Sequence, residues 1–159
     1  MMKIIKLLSM LFLLNCKAQQ VPDSITLTYQ RTIFNISENY IQFMFDSNKN
    51  YLLVNNKSAG LQKEVNINLS QEELKSIFNV YKKFNLPAEG INCLYNDDGT
   101  VLSKTIISFN KKPKEVSFQK CYQAEQDKKN FHNIEMQLLK LLKSKPEYQN
   151  TFPWEFETL

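Results

Sequence analysis

Glu64-Val65-Asn66-Ile67-Asn68-Leu69-Ser70-Gln71-Glu72-Glu73-Leu74-Lys75-Ser76-Ile77-Phe78-Asn79-Val80-Tyr81-Lys82-Lys83-Phe84 changes its hydrophobic period in mid-course. Up to Leu69, apolar Val65, Ile67 and Leu69 alternate with polar residues, the period of a half-buried strand. Beyond Ser70 the apolar residues Leu74, Ile77, Phe78, Tyr81 and Phe84 recur at helical spacing. The junction carries its own punctuation: Ser70 and Glu73 have the spacing of a capping box, in which each side chain accepts from the other residue's backbone N–H. Lys82 and Lys83 suit the negative end of the helix dipole, and Pro87 lies just beyond. A strand that passes into a one-faced helix predicts a sheet with that helix laid upon it.

The flanking sequence repeats both patterns. Residues 24–33 place Ile25, Leu27, Tyr29 and Ile33 on one face and Thr26, Thr28, Gln30 and Thr32 on the other, a second strand pattern. Residues 40–45 and 51–55 are apolar runs joined by Asp46-Ser47-Asn48-Lys49-Asn50, which reads as a hairpin; a polar break follows to Gly60. Asn96-Asp97-Asp98-Gly99 is a turn leading into a strand at 101–109; Lys111-Lys112-Pro113 turns again into 116–120, and 91–95 adds a strand ahead of them as a meander. A second helix is expected over 127–143, with Phe131, Ile134, Leu138, Leu141 and Leu142 on its buried face and Pro146 ending it, before an extended tail at 151–156. The order of elements predicts an α+β fold: one mostly antiparallel sheet of about five to seven strands with two helices on one face.

The N-terminus reads as an address. Lys3 and Lys6 precede an apolar run from Leu7 to Leu14 interrupted only by Ser9. That is a basic region followed by a hydrophobic region of a secretory signal, and far short of the roughly 20 apolar residues that cross a bilayer. Two mature ends compete. Leu13-Leu14-Asn15-Cys16 resembles a lipobox, which makes 1–15 the signal, Cys16 the lipidated first residue and 16–22 a tether; alternatively Cys16-Lys17-Ala18 is a small-x-small site, and cleavage removes 1–18. The stretch Leu-Leu-Asn-Cys-Lys-Ala-Gln and the general layout resemble uncharacterised small lipoproteins of the Bacteroidota. That resemblance implies an exported domain over 23–159, membrane-anchored and facing the periplasm or the cell surface, or soluble there if the second site is used. It brings no activity with it.

Half of the formal charge of +4 has the same origin. Of 20 Lys and Arg, two leave with residues 1–15, so 18 face 16 acidic residues and the body is nearly balanced. Its lysine groups at 111–114 and 140–145 read as a turn and a helix end, and no nucleic-acid partner is expected. Three glycines cannot build a glycine-rich phosphate cradle. Besides Cys16, Cys93 and Cys121 remain, an even pair that reads as one disulfide in an oxidising compartment or as two buried thiols. In a regular meander they flank the 101–109 strand, two strand spacings apart, beyond disulfide reach; a bridge therefore requires 91–95 to be something other than a regular strand there.

No catalytic set assembles. His132 is the sole histidine, one turn before Glu135 in the second helix, and reads as a surface position. One His and two distant Cys do not make a zinc site, and counting calcium-loop positions from Asp97 puts Gly99, Val101 and Ser108 where ligands belong. Glu72-Glu73 and Asp97-Asp98 are accounted for by a cap and a turn, and nothing distinguishes Glu64, Glu89 or Glu115. Neither cofactor nor metal is expected. Phe152, Trp154 and Phe156 form an aromatic tail, either a contact for a partner or a cover over the core. The expectation is a non-enzymatic binding or accessory module of the cell envelope, its partner a protein or small molecule, with an immunity or inhibitor protein directed at a toxin or lytic enzyme as the alternative and an enzyme third.

Overall fold

A computed structural model describes residues 22–34, 40–86, 91–110 and 121–152. Six strands make one antiparallel sheet: β1 Leu27–Phe34, β2 Tyr40–Asp46, β3 Tyr51–Asn56, β4 Leu61–Asn66, β5 Asn92–Tyr95 and β6 Val101–Phe109. Their order across the sheet is β4-β3-β2-β1-β6-β5, so the N-terminal strand lies near the centre, between β2 and β6. Three helices, α1 Gln71–Lys83, α2 Glu125–Lys143 and α3 Pro146–Thr151, complete the α+β fold.

Alternation in β1 decides which face is which. Leu27 and Tyr29 are buried, and the register puts Phe45, Leu52 and Ile107 on the same side as Tyr29. All three helices lie against that side. Leu74 and Ile77 of α1 enter the core, while Phe78 and Tyr81 set their rings about 5 Å from Phe109, the partner of Leu27. From α2 come Phe131, Ile134, Leu138 and Leu142. Thr28, Gln30, Thr32, Gln42, Met44 and Leu53 point to the opposite side, which no helix covers among the described residues.

The start of α1 is held at several points. Ser70 Oγ accepts from the Glu73 N–H at 3.2 Å, and Glu73 accepts from the Ser70 N–H at 2.8 Å. Glu73 also takes Lys145 Nζ at 2.8 and 2.9 Å, tying the cap to the link between α2 and α3. Burial works against its charge, but the bonds from Lys145 and Ser70 prevail and hold the Glu73 carboxyl below its ordinary range. Next in the chain, Gln71 exchanges both its amide groups with the Ile25 backbone, at 2.8 and 3.1 Å, and so fixes the chain entering β1.

Several expectations are corrected. The strand expected at 64–69 runs instead over Leu61–Asn66, because its partner β3 begins at Tyr51; one further bond, from the Ile67 N–H to the Asn50 carbonyl at 2.9 Å, closes the pairing. Ile67 and Leu69 keep their burial in the connection that follows. Pro146 opens α3 rather than merely ending α2; at the first helical turn its missing N–H costs nothing. Thr151 is therefore helical, not extended. The third correction concerns Cys93. Residues 92–95 pair with β6 as a strand, with a register shift between Leu94 and Tyr95, and Cys93 and Cys121 are bonded with Cα atoms 5.7 Å apart. The meander geometry fails because β1 occupies the other side of β6, and the returning chain pairs at Cys121 with Ile91, on the outer edge of β5. One strand spacing then separates the cysteines. Residues 116–120 lie outside the described residues.

Removing the carboxylate that serves both cap and bridge, Glu73→Ala, is expected to cost roughly 1–2 kcal/mol in urea unfolding. Because the folded carboxyl titrates below the unfolded value of 4.5, its contribution is present above that pH and disappears as pH falls through the folded value; the Ala variant lacks this step. Reducing the bridge, which spans a sequence separation of 28, should lower stability by about 3–4 kcal/mol in the same assay.

Candidate functional site

Two places bring polar side chains together, one buried beneath α2 and one on the helix-free face.

The buried one begins with Arg31. It continues the inward-facing series of Leu27 and Tyr29, so a guanidinium sits on the core side of β1 between Thr105 and Phe43 of the neighbouring strands. A charge there must be met by a partner, and α2 supplies Glu135, which is 3% exposed. One oxygen, Oε1, accepts from Tyr29 Oη at 3.0 Å, Thr105 Oγ1 at 3.3 Å and Arg31 Nη1 at 3.4 Å. Burial first, then the Glu135 charge, push the Tyr29 phenol well above its usual range, so it stays a donor. Asn92, opposite Thr105 on β5, is buried in the same layer. The cluster joins one turn of α2 to three residues of two central strands. With Oε1 surrounded by donors from the chain itself, the arrangement is a fastening between helix and sheet.

His132 lies one turn earlier, its Nδ1 4.0 Å from Glu135 Oε2 and its side chain 59% exposed. Asp97 and Asp98 form the expected turn: Thr100 N–H donates to Asp98 Oδ1 at 2.8 Å, and Gly99 takes φ +82°, a conformation open to glycine. Among the described residues no three His, Cys, Asp or Glu side chains are grouped to hold a metal ion. Phe152 is buried, its ring 5.0 Å from Tyr148 and with Lys63 Nζ 5.7 Å from its centre. Cys16, Trp154 and Phe156 lie outside the described residues. Among those described, no helix is long and apolar enough to cross a membrane.

The second place is a groove of about 610 Å³ on the helix-free face. It lies at the end of the sheet where β1 begins and β2 turns into β3, with Thr28, Gln30, Met44, Asp46 and Tyr51 along it. The register lines up Ser108, Thr28, Asp46, Tyr51 and Asn66 as one row across five strands. Beside it runs a more apolar row of Ile106, Gln30, Met44 and Leu53. Asp46 Oδ1 is held by the Asn48 N–H at 2.9 Å, and at the rim Asn110, with φ 55°, accepts from the Thr26 N–H at 2.9 Å. Thr28 Oγ1, shielded from water, has no hydrogen-bond partner among the described residues. The sequence puts Thr28 and Gln30 on a polar strand face, Asp46 in a loop, and Met44 and Tyr51 in apolar runs; their alignment depends on strand register, which no local pattern carries.

No protein-family model matches this chain, and no curated protein matches it either.

Replacing the clamp carboxylate, Glu135→Ala, leaves Arg31 and Tyr29 without their acceptor and is expected to cost about 3 kcal/mol in denaturant unfolding. Tyr29→Phe removes one neutral donor and should cost about 1 kcal/mol.

Proposed function

We propose that this chain is an exported binding module of the cell envelope, tethered through a lipid on Cys16, which performs no reaction of its own and offers the helix-free face of its sheet to a ligand. The observation that carries this reading is the groove at Thr28, Asp46 and Tyr51, a wide concavity with hydrogen-bonding side chains on a face that no described helix packs upon. Binding sites are concave surfaces with a few oriented polar groups on a rigid support. Here the support is three interior strands.

Other features agree with it. The Cys93–Cys121 bridge suits an oxidising compartment outside the cytoplasm. The tether places the domain at a membrane without asking its own surface to bind lipid. The buried carboxylate supports a non-catalytic role, since Glu135 Oε1 is surrounded by structural donors.

Hydroxyl-radical footprinting tests the binding face. Met44 lies in the groove, while Met136 sits exposed on α2. In intact envelopes Met44 should oxidise severalfold more slowly than in the purified chain, with Met136 unchanged; equal rates for Met44 in both preparations would contradict the reading. Labelled palmitate should enter the protein and be lost in Cys16→Ala, and labelling that survives the substitution would remove the anchor.

A further inference from the structure

We infer that the groove receives a neutral saccharide chain, a ligand class that rests on the binding-face reading above. In this row Asp46 and Tyr51 present a carboxylate and a phenol on neighbouring strands, about 4.8 Å apart. A hydroxyl both donates and accepts, and a carboxylate accepts from two directions. Together they match the vicinal hydroxyls of a sugar ring, each of which also donates and accepts. Next to the row, Met44 and the Tyr51 ring give an apolar strip on which the C–H face of a pyranose can rest.

The groups are held ready. Asp46 is fixed by the Asn48 N–H, and burial together with the Glu64 carboxylate, itself bonded to Gln62 Nε2 at 3.1 Å, raises the Tyr51 phenol above its ordinary range, so it stays a donor. Pre-positioned side chains lose little freedom on binding.

Other ligand classes fit less well. A peptide strand binds by extending a sheet edge, yet β1, β2 and β3 are interior strands with neighbours on both sides. A phosphate or polyanion calls for clustered Arg and Lys, whereas Asp46 and Lys49 are the two charged residues lining the groove and oppose each other. A compact apolar ligand needs enclosure, and this groove is an open trough.

The test uses the full chain purified in a detergent without a sugar headgroup, with cellohexaose, chitohexaose, maltohexaose and tetra-alanine as probes in saturation-transfer NMR. At least one oligosaccharide should receive transfer, and its binding should weaken by about tenfold or more in Asp46→Asn. Tyr51→Ala should remove it. Asp46→Asn keeps shape and volume, so an unchanged melting curve separates lost recognition from lost folding. Transfer to no oligosaccharide, affinity unaltered in Asp46→Asn, or transfer to tetra-alanine instead overturns the inference. If Met44 is nevertheless protected in envelopes, the saccharide class alone fails; if Met44 is unprotected as well, the binding-face reading fails with it.

Discussion

A single carboxylate decides which side of this sheet is closed. Arg31 stands on the core face of β1, where a lone guanidinium would be untenable, and Glu135 meets it from α2 together with Tyr29 and Thr105. The contact fixes the rotation of α2 about its axis as well as its position, since a carboxylate buried at 3% exposure has no other place to go. Apolar residues on either side, Phe131, Ile134 and Leu138, then fall into the core. Buried ion pairs add little net stability over apolar residues of the same shape, but breaking one is expensive. Their effect is to select one arrangement over others, and here the arrangement selected puts α2 beside α1 on a common face.

The consequence reaches the opposite side. With every described helix on one face, Gln30, Asp46 and Tyr51 are left in contact with solvent in a groove. Antiparallel sheets commonly leave one face to water. This one differs in the order of its exposed side chains: a hydrogen-bonding row and a more apolar row lie side by side across the strands. The strand backbone beneath is fully paired in the interior of the sheet, so the groove is shaped by side chains on a stiff floor.

Much of the fold is written locally. The switch of period at Ser70 marks β4 leading into α1, and the alternation of Thr26 to Ile33 marks the central strand. The Asn96-Asp97-Asp98-Gly99 turn is equally plain. What local pattern does not contain is pairing between distant segments. Arg31 interrupts the apolar face of β1, and its partner lies 104 residues away in a helix where Glu135 looks like one more polar position. The same holds for Cys121, whose place beside β5 follows only once β1 is known to occupy the far side of β6. Asp46 and Tyr51 read as loop and strand start, and only the register sets them in line with Thr28. Pro146 shows a different limit: the same residue both stops one helix and begins the next.

The dependence of this architecture on the clamp is measured most directly by a double-mutant cycle on Arg31→Met and Glu135→Leu in denaturant unfolding. Each single change should be strongly destabilising, while the double variant, with neither charge left unpaired, should recover much of the loss and give a coupling of about 1–3 kcal/mol. Strict additivity of the two changes would contradict the clamp.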